Sequence, residues 1–272
     1  MSSANPARAD AHRDLPYLDG GGPRQQLDLY LPDRPARAPL VVWLHGGEFR
    51  RGDKRDHVPM WLLDAGYAVA SVNYRLSGEA VFPTQLEDCR AAVRWLRARA
   101  AVYRIDPARI AVWGESAGGH LAALVGTTAA APGFDAGGTP GISSAVLAVV
   151  DFFGPTDFLQ MDAHRRPGDL AHDAPDSPES LVIGGPIQAH PEAVARANPI
   201  TYVSPGAPPF LIVHGDADPL VPHHQSQLLA DALRTCGVPV TFHTVKGGGH
   251  GRFADPEVRR LVEGFFAQAF AV

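Results

Sequence analysis

Apolar positions along the chain fall into two kinds of run. Short unbroken stretches recur at 40–44 (LVVWL), 110–113, 145–150 and 210–213, and 67–74 repeats their character around Ser71 and Asn73. Runs of this length without polar alternation are what strands buried on both faces look like. Residues 25–31 and 240–245 alternate instead, as strands with one solvated face do. The first of these reads as an edge strand.

Between the runs the period changes to that of a helix. Leu86, Cys89, Val93 and Leu96 share one face, and Thr84 with Glu87 makes a capping box ahead of them. Leu229, Ala232, Leu233 and Cys236 repeat the spacing. The last segment is the clearest: Asp255 as N-cap, Pro256 in the first helical position, then a stripe of Val258, Leu261, Val262, Phe265, Phe266 and Ala269. Buried strands alternating with amphipathic helices predict an α/β domain, a mostly parallel sheet covered on both faces.

Two segments break the alternation. Residues 1–24 are polar and rich in chain breakers and read as a loosely held arm. Residues 155–209 hold 10 of the 25 prolines and only short helical patches. An irregular stretch that long inside a compact domain points to function, here a lid over one end of the sheet. The expected organisation is an arm at 1–24 and one domain at 25–272, with a lid inserted at about 155–209.

Composition narrows the classes. The 28 glycines and 25 prolines among 272 residues fall short of the roughly 25–30% that marks low complexity, and 45% apolar content supports a large core. A formal charge of −5 offers no basic face for nucleic acid. Arg90, Arg94 and Arg97 recur at helical spacing, and a solvated helix face accounts for them. Two cysteines, Cys89 and Cys236, are too few for a disulfide framework and read as small buried hydrophobes. The longest apolar stretch, about nine residues, falls short of the ~20 that a membrane span needs. The amino terminus lacks the apolar core of a signal peptide. The expectation is a soluble, cytoplasmic protein.

The chemistry is carried by four loops. Gly114-Glu-Ser116-Ala-Gly118 lies between a buried strand and a helical run, the context of a nucleophile elbow, which lifts a serine oxygen above the sheet. A nucleophilic serine needs an oxyanion site and a base. The amide of Ala117 supplies one oxyanion donor, and His45-Gly46-Gly47-Glu48, directly after the LVVWL strand, supplies the bare backbone for a second at Gly46 and Gly47. An acid and a base then follow at strand ends: Asp216 or Asp218 in HGDADPLVP, and His250 in GGGHG.

With these pieces in order, the chain resembles the α/β-hydrolase fold esterases. It is most similar to the small carboxylesterase and feruloyl-esterase-like group, which is related to the catalytic domain of prolyl-oligopeptidase-type peptidases. The resemblance covers roughly residues 25–270 and rests on HGGEFRRGDK, NYRL, WGESAGGH, HGDADPLVP and GGGHG. It implies an eight-stranded sheet and hydrolysis of a small-molecule carboxylic ester through an acyl-enzyme. It further implies Ser116 as nucleophile, Asp218 as orienting acid and His250 as base, with no cofactor. Glu48 departs from the HGGG form of many lipases.

Other polar residues take structural readings. His45 braces the oxyanion loop, His120 belongs to the helix after Ser116, Asp216 ties down its turn, and Glu115 faces away from the site. Arg50, Arg51 and Lys54 read as a solvated loop. His223 and His224 are adjacent and share no helix face, and no metal-ligand spacing occurs. An amide hydrolase of the same fold, arylformamidase or peptidase-like, and a non-catalytic ligand-binding protein are the alternatives.

Overall fold

The structure, a computed structural model, describes residues 10–34, 36–251, 253 and 255–271. Eight strands form one sheet: β1 (Asp10–Pro16), β2 (Gln26–Leu31), β3 (Ala38–Leu44), β4 (Ala68–Val72), β5 (Ile105–Glu115), β6 (Val149–Phe152), β7 (Phe210–Gly215) and β8 (Val240–Val245). Their spatial order is β1-β2-β4-β3-β5-β6-β7-β8, antiparallel at β1/β2 and β2/β4 and parallel from β4 onward.

Side chains of successive strand residues go to opposite faces, and each face meets its own helices. Leu40, Val42, Leu44, Val112 and Ile212 pack with α1 (Thr84–Ala98), α2 (Ala117–Thr127) and α6 (His224–Thr235). Val41, Trp43, Ala111, Trp113 and Val213 pack with α7 (Pro256–Phe270) through Val258, Val262 and Phe266. This double burial explains the unbroken apolar runs. The Asp255 cap is present, its side chain accepting from the Glu257 amide.

Several expectations need correction. Residues 10–16 form the edge strand, so 25–31 is not the edge and the arm at 1–24 does not describe them; residues 1–9 lie outside the described ones. Little apolar signal marks β1, because pairing with β2 holds it and most of its side chains face water. Pro83, not Thr84, occupies the N-cap of α1, without a side-chain hydrogen bond. Arg90 and Arg94 are buried, not solvated: both donate to Asp135, at 2.8 and 2.7 Å, and Arg90 also reaches the Thr128 carbonyl. Lys54 is 1% exposed, its ammonium 2.6 Å from both Asp14 and Asp28. Cys89 is buried, but Cys236 at the end of α6 is only half-buried.

Between β6 and β7, residues 155–209 carry the short helices α3 (Met161–His164), α4 (Pro178–Ile183) and α5 (Pro191–Ala197) with three single 3-10 turns. Among the described residues, no helix is long and apolar enough to cross a membrane.

Candidate active site

Ser116 sits between β5 and α2 with φ 54° and ψ −120°. A side chain rarely adopts this backbone, which stores on the order of 1–3 kcal/mol and persists only where surroundings over-determine it. Here they do. The Ser116 amide donates to the Phe152 carbonyl at the end of β6, and its carbonyl accepts from the His120 amide. Gly118 makes the tight turn possible: a Cβ there would lie 2.1 Å from the Leu44 carbonyl oxygen.

His250, after β8, brings Nε2 to 3.0 Å from Ser116 Oγ, and its Nδ1 is 2.7 Å from Asp218 Oδ2. Asp218, after β7, is fully buried and saturated with donors. Its Oδ1 accepts the amides of Leu220 and Val221, while Oδ2 accepts from His250 and, at 3.1 Å, from His214 Nε2. Burial works against its charge, but hydrogen bonds from His214 and His250 outweigh it and hold the carboxyl well below the usual carboxylate range. Ser116, His250 and Asp218 thus form one continuous relay.

Asp216 is not part of that relay. Its carboxylate accepts the Gly247 amide at 2.6 Å and pairs with Lys246, fastening the β7 loop to the β8 loop. His214 could not be found by spacing, since its partners Asp218, Val221 and Ser226 meet it only in the folded loop.

Gly46 and Gly47 follow β3 and line the same pocket as Ser116 and Ala117. Gly47 has φ +120°, and a Cβ there would lie 2.3 Å from the Arg51 carbonyl oxygen, so the turn admits only glycine. His45 is buried beneath it, donating from Nδ1 to the Gly46 carbonyl at 2.7 Å and stacking on Tyr74 at 4.4 Å; burial pushes its pKa down to about 4. His120 is likewise internal, Nδ1 2.8 Å from the Pro155 carbonyl and its ring stacked on Phe158. Glu48 pairs with Arg50 and Arg51.

The pocket has a volume of about 350 Å³. Its lining includes the polar Arg51, Asp56 and His57 and the apolar Phe153, Pro155, Leu170, Leu220 and Val221. Glu115 lines it, against the expectation that it faces away: its carboxylate is 2.6 Å from His57 Nδ1. His172 and Glu179, from the 155–209 segment, also line it, and neither stands out by motif. Outside this pocket, His243, Asp255 and Glu257 are a described group whose ligand atoms lie within 4.8 Å of one another.

A nucleophile elbow on the central strand of this sheet, with loops from β3, β7 and β8 converging on it, defines an α/β-hydrolase fold. The chain belongs to the BD-FAE family, whose profile matches residues 27–233. It is 33% identical over 242 residues to Esterase LipC of Mycobacterium tuberculosis, an alignment covering 86% of this chain and 58% of LipC. The chain spans just over half the length of the curated relatives it matches first. Among solved structures it is similar to a truncated form of a carbohydrate esterase from gut microbiota, with 33% identity, 95% of each chain covered and a TM-score of 0.88. A bifunctional GH43-CE protein of Bacteroides eggerthii matches at 35% identity and TM-score 0.89, over 96% of this chain and 38% of that one.

Proposed function

We propose that the protein hydrolyses small carboxylic esters through an acyl-enzyme on Ser116. The carrying observation is the unbroken relay from Ser116 Oγ to His250 Nε2, at 3.0 Å, and from His250 Nδ1 to Asp218 Oδ2, at 2.7 Å. Because Asp218 stays ionised, it fixes the proton on Nδ1 of His250 and leaves Nε2 free to accept from the serine. His250 takes that proton as Oγ attacks the ester carbonyl.

The oxyanion that forms is held by the Ala117 amide, which opens α2 and so has no intrahelical acceptor. The backbone of Gly46 and Gly47 supplies the second donor. His250 then gives its proton to the leaving alkoxide. Water, activated by the same imidazole, releases the acid and restores Ser116.

The names of the similar structures, carbohydrate esterase and GH43-CE, favour an ester of a sugar over that of a long-chain alcohol. A cavity of about 350 Å³ accommodates a short acyl group and one ring. The test is turnover of p-nitrophenyl acetate, with a pre-steady-state burst, by the wild type and by Ser116→Ala. Removing the nucleophile is expected to lower kcat by roughly 10⁴–10⁶-fold. Turnover retained in the variant, or absent from the folded wild type, would overturn the assignment.

A further inference from the structure

His172 and Glu179 stand in the pocket wall, and the hydrolytic relay uses neither. His172 Nδ1 lies 3.0 Å from Glu179 Oε2, and their side chains are 2% and 5% exposed. Both line the cavity that holds Ser116. The other lining residues from the 155–209 segment and the loop after β7 (Pro155, Leu170, Pro178, Leu220, Val221) are apolar, and hydrophobic side chains in place of the pair would line the pocket at least as well.

The pair is built rather than incidental. Ser177 caps α4 and accepts the Ser180 amide, which fixes the turn that carries Glu179. The amides of His172 and Asp173 both donate to Asp162, at 2.8 and 3.0 Å, which fixes the loop carrying the imidazole. One oxygen of the carboxylate is thereby committed to His172. Among the described residues nothing donates to the other, Oε1. Burial lowers the histidine's pKa, but the Glu179 contact, helped by the Asp162 charge and the Leu220 backbone, more than offsets it and raises it. A carboxylate oxygen is a pure hydrogen-bond acceptor.

We propose that Glu179, positioned by His172, accepts a hydrogen bond from a substrate hydroxyl and so selects esters that carry one. This rests on the hydrolase reading above and deepens it. The hydroxyl can belong to the alcohol, as in a sugar ester, or to the acyl group, as in a hydroxycinnamoyl ester; the recognition chemistry is the same.

The test uses two matched pairs of esters on the full chain. A monoacetylated methyl xyloside against cyclohexyl acetate probes the alcohol side, and methyl 4-hydroxycinnamate against methyl cinnamate probes the acyl side. For each pair the ratio of kcat/KM with and without hydroxyl is measured in the wild type, Glu179→Gln, Glu179→Leu and His172→Gln. Loss of a hydrogen bond to a charged group predicts a fall in that ratio of about 10- to 100-fold for Glu179→Leu in one pair, with smaller falls for the other two. The pair that responds identifies which half of the ester faces α4.

Because each ratio is taken within one enzyme, partial unfolding cancels, and the near-isosteric Glu179→Gln serves if the leucine variant does not fold. Ratios within twofold of wild type in both pairs would overturn the proposal while leaving ester hydrolysis intact. If the wild type cleaves none of the four esters, both readings fall.

Discussion

Asp151 offers a measurement in which burial and charge make opposite demands. It lies on β6, paired in register with Gly114 of β5 and Ile212 of β7, and is 1% exposed. Oδ1 accepts the Gly154 amide at 2.9 Å, while Oδ2 has no partner among the described residues. Burial pushes its pKa up to about 7, against the Gly154 hydrogen bond, which lowers it. The unfolded chain therefore ionises this carboxyl near pH 4, while the folded chain holds the proton to about pH 7. Stability from this group is complete below pH 4 and declines as pH rises to 7. Just over three pH units, at about 1.36 kcal/mol each, make that decline roughly 4 kcal/mol.

Asp151→Asn removes the titration and keeps the Gly154 bond. Its amide nitrogen is left unpaired, a penalty of about 1–3 kcal/mol, but the protonated carboxyl carries a similar orphan hydroxyl. The variant should match the wild type within about 1 kcal/mol at pH 4.5 and exceed it by roughly 1–4 kcal/mol at pH 8. Urea denaturation of both proteins at four pH values between 4.5 and 8 reads the difference directly, since other titrations cancel in it. A difference that stays flat with pH would refute the reasoning. It would mean that the amino-terminal field of α2, whose Gly119 lies against Asp151 Oδ1, outweighs desolvation and keeps the carboxyl ionised throughout.

Two further substitutions test the loops. Lys54→Met takes the ammonium from the fully buried Asp28 carboxylate and leaves it the Asp14 amide, the Tyr30 hydroxyl and Arg13 at 3.4 Å, which should cost about 2–4 kcal/mol. At roughly 2–4 °C per kcal/mol for a chain of this size, Tm should fall by about 4–16 °C, and a calorimetric shift under 2 °C would show the pair to be inert. Gly118→Ala places a methyl group 2.1 Å from the Leu44 carbonyl oxygen, a backbone atom unable to step aside. Displacing the elbow by that collision should reduce p-nitrophenyl acetate turnover by about 10²-fold or more, and wild-type kinetics in this variant would refute the packing argument.

What the sequence made legible shares a physical origin. Strands β3, β4, β5 and β7 announced themselves because burial on both faces disfavours polar residues over several positions; the run at 145–150 only overlaps β6, which begins at Val149 and carries the buried Asp151. Ser116, Gly46 and Gly47 could be found because a strained turn or a close backbone approach excludes most side chains, leaving a local pattern. Strand-end position pointed to His250 and to Asp216 or Asp218, and the choice of Asp218 came from the family resemblance. The edge strand β1 lacked such a signal, being held by its partner's backbone rather than by burial. Arg90 and Arg94 were misread for a related reason: their acid, Asp135, lies more than 40 residues away, and no periodicity encodes that distance.

The same blindness covers the polar pairs that position the site, and they are distributed with a purpose. On one side, the amino-terminal segment grips the loop after β3. Arg24 donates to the Gly52 carbonyl at 2.6 Å, Asp14 and Asp28 hold Lys54, and Asn73 links Asp53 to the Pro23 carbonyl. On the other, the 155–209 segment grips the loop after β7, through Arg166 to the Asp218 carbonyl at 3.0 Å and the Leu170 amide to the Pro219 carbonyl. A serine at the end of a central strand is rigid by construction, but Gly46, Gly47 and Asp218, the proposed second oxyanion donor and acid, sit on loops, where tenths of an ångström decide function. Each of these loops is tied from outside by a segment remote in sequence. Lys54, which the sequence presents as part of a solvated loop, is therefore one of the fastenings of the site.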